Sequence, residues 1–303
     1  MDYPIVMKKI IIAFGACGML FASCKEKAPF IKLDNSNFTD TSYSLSTIPA
    51  AEPHNVLVEE FTGASCTNCP AAHETLDALE AANHGRLNVI GLYIYNVVQT
   101  QPPHGAKYDF RDSTSSTISN EVYGGVNQLP NGGIDRSLVN GNLQVAQGNW
   151  SATINDRLKN PTPINLKIES HFNSISGDNT IIASVIYTQD VSTHQNLSIA
   201  IVEDGIVDYQ EYPYFHPVFP DGLDTSYIFT NVFRQMVTSP PFGDPILGNL
   251  ATKKAGQALV RTFTYRLSSK ILNADKCRII AFVNNTDGTD RQIIQSCQAK
   301  LKS

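Results

Sequence analysis

Charge is scarce in this chain, and clustered positive charge is absent. Charged residues occupy 17% of 303 positions, with 28 Asp and Glu against 23 Lys and Arg, for a formal net charge of −5. A nucleic-acid-binding surface needs concentrated Lys and Arg, so that class is excluded. After residue 23 no apolar run has the length of a membrane-spanning helix, which excludes a chain that crosses the bilayer repeatedly as helices. The H-E-x-x-H, G-x-S-x-G and Walker patterns are missing, and with them the zinc-protease, serine-hydrolase and P-loop chemistries they encode. At 42% hydrophobic the composition is that of an ordinary globular protein, long enough for two cores.

What is present begins with a leader. Met7, Lys8 and Lys9 form a short basic region, followed by an apolar stretch from Ile10 to Phe21, the layout of a secretory signal. The stretch ends Phe-Ala-Ser before Cys24. This resembles a bacterial lipobox, which implies cleavage after residue 23 and lipidation of Cys24. Cys17 is the competing position, and a plain signal-peptidase site beside Cys24 is the other alternative. Such an anchor holds a protein to a membrane without spanning it. Lys25 directly after Cys24 is compatible with outer-membrane sorting by the same resemblance, so outer membrane or cell surface is the expected location. Residues 24–53, polar and rich in Ser, Thr, Asn and Pro, are expected to be a tether with at most one short strand.

Four cysteines then remain: Cys66 and Cys69 in a C-x-x-C, and Cys277 and Cys297 near the end. Export permits disulfides. Cys277 and Cys297 fall on the last two β-like runs, and a turn centred on Asp287 would put them directly across a hairpin. A structural disulfide is expected there.

The run "HNVLVEEFTG" at 54–63 predicts a buried strand, and "AAHETLDALEAAN" a helix. Cys66 therefore lies at or just before a helix N-terminus, where free N–H groups and the helix dipole favour a thiolate. Further on come a strand near 86–96, a helix near 113–123, an apolar stretch after Pro130 and an amphipathic helix closing at about 160. This order predicts an α/β sheet with helical cover over residues 54–160. Zinc fits poorly, because a structural site needs four ligands and His54 and His73 do not complete one. Covalent haem needs His where Pro70 stands. No metal and no cofactor is expected. Glu59 and Glu60 must point to opposite faces of their strand, so at most one can serve the cysteines, and a solvated face is the plainer reading. His104 reads as a surface-loop histidine, Tyr93 and Tyr95 as strand packing, and the "NGG" at 131–133 as turn geometry.

"VEEFTGASCTNCPAAHETL", followed by Leu129-Pro130, resembles a thioredoxin fold, and more specifically the thioredoxin-like lipoproteins in the twenty-eight-kilodalton outer-membrane protein family of Bacteroides-like bacteria. The segments "IAIVEDGI", "NVFRQMVT" and "CRIIAFVNN" fit that family too. The resemblance implies Cys66 as nucleophile and Cys69 as resolving thiol, with Leu129 and Pro130 at a cis-proline loop that guides substrate. It also implies that a buried acid beneath the cysteines can relay protons. Thr67-Asn68 between the cysteines matches neither the Gly-Pro of reductants nor the Pro-His of strong oxidants.

Residues 161–303 open with prolines and continue as alternating runs broken by Asn, Asp and Gly, which predicts an all-β, immunoglobulin-like sandwich. A long polar and aromatic excursion carries Tyr209, Tyr212, Tyr214, Phe215, Phe219 and Tyr227; it reads as a packed minicore or as a binding surface. The expected function is thiol–disulfide exchange on envelope thiol proteins by a membrane-anchored lipoprotein. The alternative is a non-catalytic surface scaffold or binding protein in which the C-x-x-C is a staple.

Overall fold

A computed structural model describes residues 38–302. The leader, Cys24 and the first part of the tether lie outside the described residues. The elements in chain order begin with β1 (Phe38–Ser44), β2 (Val56–Phe61), α1 (Cys69–Ala82), β3 (Leu87–Leu92), α2 (Ser113–Tyr123), β4 (Asn131–Ile134), β5 (Val145–Ala146) and α3 (Trp150–Arg157). The remainder is strand: β6 (Ile164–Phe172), β7 (Asp178–Tyr187), β8 (Gln195–Glu203), β9 (Ile206–Glu211), β10 (Leu223–Phe229), β11 (Val232–Met236), β12 (Asp244–Pro245), β13 (Gln257–Arg266), β14 (Cys277–Asn285) and β15 (Ile293–Lys300).

The expected α/β order is present in the first half. β2 and β3 run parallel with Val56 opposite Leu87, and β4 lies antiparallel on the other side of β2. Every residue of β2 and β3 is buried, as a strand covered on both faces requires. Val56, Val58, Leu76, Trp150 and Ile154 make the core under α1 and α3. Leu57, Phe61, Ile118 and Val122 make the one under α2. Asp112 caps α2 by accepting from Thr114 N at 2.7 Å, and Gly124 ends it at φ 70°. The "NGG" lies in strand β4 rather than in a turn. A side chain at Gly133 would collide with the Tyr123 hydroxyl, and one at Gly132 would crowd the Trp150 indole.

The sheet runs on across the boundary expected at residue 160. The described residues 38–302 lie in one compact unit, because the sheet continues through it in the order β15-β14-β8-β11-β3-β2-β4-β5, with β12 on β8. The join is narrow: β11 meets β3 in parallel at Val232 opposite Gly91, where Gly91 N donates to Asn231 O at 2.7 Å. A Cβ at Gly91 would stand 3.1 Å from that oxygen, so glycine permits the approach. A second sheet, β1-β13-β7-β6, stacks on the β8-β14-β15 end around Ile181, Val185, Ile199, Ile279 and Phe263. The two-layer packing expected for the second half is therefore present, but one layer is shared with the first half and the other takes β1 from the expected tether. β1 is fixed by Asp40, which accepts from Arg261 at 2.6 and 2.7 Å.

Cys277 and Cys297 are both free, against the expected disulfide. In the β14–β15 hairpin Cys297 stands opposite Ala281, and Cys277 accepts through its carbonyl from Leu301 N. The hairpin thus centres near residue 289, two residues past Asp287. The two thiols end up four positions apart along the strands, roughly 13 Å at strand rise, beyond the reach of an S–S bond. Burial pushes the Cys277 thiol up to about 12.

Candidate active site around the Cys66–Cys69 turn

Cys66 and Cys69 are bonded to each other. α1 opens at Cys69 with Pro70 in its first turn, where a missing N–H costs nothing. Cys66 sits one turn ahead: its N–H donates to Gly63 O, and its carbonyl accepts from Cys69 N, each at 3.1 Å. The Leu129–Pro130 peptide is cis. Thr67, Asn68, Pro70 and Pro130 line one cleft of about 540 Å³. Of the expected site residues, the cysteine turn and Pro130 are brought together at this cleft; Cys277 and Cys297 belong to the distant hairpin.

The cleft's other wall comes from the aromatic excursion, which is a β9–β10 hairpin with a loop at 212–222. Tyr212, Pro213 and His216 complete the lining. The hairpin also clamps the cysteine turn. Gln210 Nε2 donates to Cys66 O at 3.1 Å, Glu211 N to Ala64 O at 2.9 Å, and Ser65 Oγ to Glu211 Oε1 at 3.1 Å. As a result Cys66 is only 2% exposed and Cys69 not at all.

Behind the turn lies a buried polar group that sequence reasoning underrated. Glu59 and Glu60 are both buried, not solvated. Glu59 accepts from Arg136 at 2.7 and 2.8 Å and from the Tyr123 hydroxyl. Glu60 faces α1, with Oε1 3.4 Å from His73 Nε2 and no hydrogen-bond partner at that oxygen. Burial, then Asp77 and Glu80, raise the Glu60 carboxyl well above its ordinary value. Burial also drives His73 down to about 4. His73 bridges Thr62 Oγ1 at 2.8 Å and the Tyr227 hydroxyl on β10 at 2.6 Å. Glu80 rises to about 7, chiefly through burial. His73 and Tyr227 were legible only as a helix residue and a loop aromatic, since 154 positions separate them. His104 is exposed, as a loop histidine; Tyr93 is buried, while Tyr95 is exposed with Arg111 over its ring at 5.4 Å.

The family model for outer membrane protein Omp28 matches residues 118–303, more than half of the chain. The chain belongs to the Omp28 family. It is accordingly an outer-membrane protein. No curated protein sequence matches this Omp28-family chain. Among solved structures it is similar to HBP35 of Porphyromonas gingivalis, with TM-score 0.60 and 15% identity over 84% of this chain and 77% of that one. That likeness is one of fold. A domain of the outer membrane lipoprotein Omp28 from Porphyromonas gingivalis aligns with TM-score 0.29 and 12% identity over 46% of this chain and 89% of that one.

Proposed function

We propose that this Omp28-family protein is a lipid-anchored thiol–disulfide exchange protein, with Cys24 as the anchor and a thioredoxin-like arrangement from β2 to α3 as the working part. The two layers, β1-β13-β7-β6 and β8-β14-β15, are immunoglobulin-like in their face-to-face antiparallel packing. The observation that carries the exchange reading is the shared cleft: Thr67 and Asn68, between the disulfide-bonded cysteines at the head of α1, line the same groove as cis-Pro130.

From the oxidised state the reaction runs in two displacements. A thiolate of an envelope dithiol protein attacks the Cys66 sulfur; a mixed disulfide forms and Cys69 leaves as a thiolate. That thiolate takes up a proton; Glu60, whose carboxyl burial raises well above its ordinary value on the α1 side of β2, is the acid we assign to supply it. The partner's second thiol, deprotonated, then attacks its own sulfur in the mixed disulfide and releases Cys66. The partner gains a disulfide and the protein a dithiol; run backwards, the same steps reduce a partner. Helix N–H groups favour the thiolates throughout. Access to Cys66 requires β9 to yield, because Gln210 and Glu211 hold the turn from above.

One observation favours the second reading, a structural staple in a non-catalytic surface protein: Cys66 is 2% exposed. Dithiothreitol-driven insulin reduction separates the two. Exchange predicts turnover by the full chain that Cys66→Ser abolishes; a rate equal to dithiothreitol alone, with Cys66–Cys69 intact, supports the staple.

A further inference from the structure

The wall supplied by the hairpin has features that neither packing nor exchange chemistry requires. The loop at 212–222 is ordered by its own backbone: Tyr212 N donates to Gly222 O at 2.8 Å and Phe215 N to Pro220 O at 3.2 Å. His216 Nδ1 accepts from Val218 N and Phe219 N, each at 3.3 Å. The rings of Tyr212, His216 and Phe219 pack on one another, with centroids 4.7 to 5.5 Å apart. Beyond this ordered base, Tyr214, Phe215 and Val218 stand 79%, 90% and 69% exposed. Phe215 is held at φ 65°, a conformation that a bulky side chain resists. Ordering a loop and straining one residue in it, only to leave three large apolar side chains in water, opposes folding. The arrangement fits a partner that covers them.

Charge narrows the partner. Residues 62–85 and 206–233 contain no Lys or Arg. Glu74 lines the cleft, and Asp77 and Asp221 are exposed. Among the described residues that line the cleft, Glu74 is the acid and none is Lys or Arg; Tyr212, Pro213 and His216 form one wall, and the exposed Tyr214, Phe215 and Val218 belong to the same loop.

We infer that the cleft between the Cys66–Cys69 turn and the 212–222 loop takes an extended polypeptide segment bearing Lys or Arg next to large apolar side chains. The inference rests on the exchange reading for one point only, that such a segment brings a cysteine to Cys66. The same carboxylates oppose an anionic lipid surface, so the exposed rings are assigned to a peptide and not to the bilayer.

The test reads binding without chemistry. Full-length oxidised protein in detergent is titrated against fluorescent twelve-residue peptides whose cysteine is replaced by Ser: one rich in Lys and Phe, one with Glu for Lys, one with Ser for Phe. The expected result is saturable binding of the first, weaker by about tenfold or more for the other two, and weakening with added salt. Glu74→Lys and Phe215→Ser each weaken it about fivefold or more while the thermal midpoint holds. Equal binding of all three peptides, no binding, or binding insensitive to both substitutions overturns the inference. So does Phe215-dependent binding to phosphatidylglycerol vesicles without peptide binding. Because these peptides lack cysteine, failure here leaves the insulin result standing, and failure of insulin turnover leaves this result standing.

Discussion

The two faces of β2 treat adjacent carboxylates in opposite ways. Glu59 lies against α2 and is neutralised by a bidentate Arg136 and a tyrosine hydroxyl. Glu60, one residue on, lies against α1 with an unpartnered oxygen, a histidine emptied of its proton and other acids nearby. Burial of a charge is tolerated when a partner pays back the desolvation; without one, the group keeps its proton instead. The α2 face is thus a structural anchor. The α1 face holds a carboxyl that burial raises well above its ordinary value, the kind of perturbed acid that sites of chemistry use.

The largest way to break this contrast is Glu59→Gln, which strands Arg136 in the core. It is expected to cost about 3–5 kcal/mol in denaturant unfolding, and a loss under 1 kcal/mol would deny the anchor role. His73→Leu comes next, at about 1–3 kcal/mol, since Tyr227 and Thr62 lose a buried partner. It also changes the acid limb. Wild-type His73 titrates near 6.5 when unfolded and about 4 when folded, so the unfolded state binds more protons between those values and stability falls as pH drops from about 6.5 to 4. The Leu variant loses that component. Glu80 has the opposite sign. Its folded value of about 7 exceeds the ordinary 4.5, so its contribution is present below 4.5 and fades as pH rises to 7; Glu80→Gln should unfold with less decline over that window. The smallest stability effect is Glu60→Gln, under about 1 kcal/mol, because the amide replaces an acid that is already neutral. Its turnover of insulin should nevertheless fall about tenfold or more. A Glu60→Gln protein as destabilised as Glu59→Gln would erase the distinction between the faces.

Local chemistry made much of this visible in the chain. The apolar run before Gly63, the helix-forming stretch after Pro70 and the lone proline at 130 each announce themselves within a few residues, and the cysteine turn falls where they place it. The remainder depends on distant partners. Glu59 and Glu60 look like a solvated pair because Arg136 is 77 positions away. Within the sheet the two halves meet at one parallel bridge, Val232 opposite Gly91, invisible to any periodicity. β9 and β10 mix Asp, Gln and Tyr with apolar residues and are split by a proline-rich loop, so their pairing over the cysteine turn left no local trace. Cys277 and Cys297 show how much a register matters: moving a hairpin's centre by two residues turns neighbours into strangers.

The most direct measurement is the equilibrium potential of Cys66–Cys69 in the full chain, titrated against dithiothreitol buffers with the two states resolved by alkylation and mass. The exchange account predicts a potential above about −300 mV, within reach of envelope redox partners. A pair that stays oxidised well below about −300 mV is a permanent staple, and would contradict it.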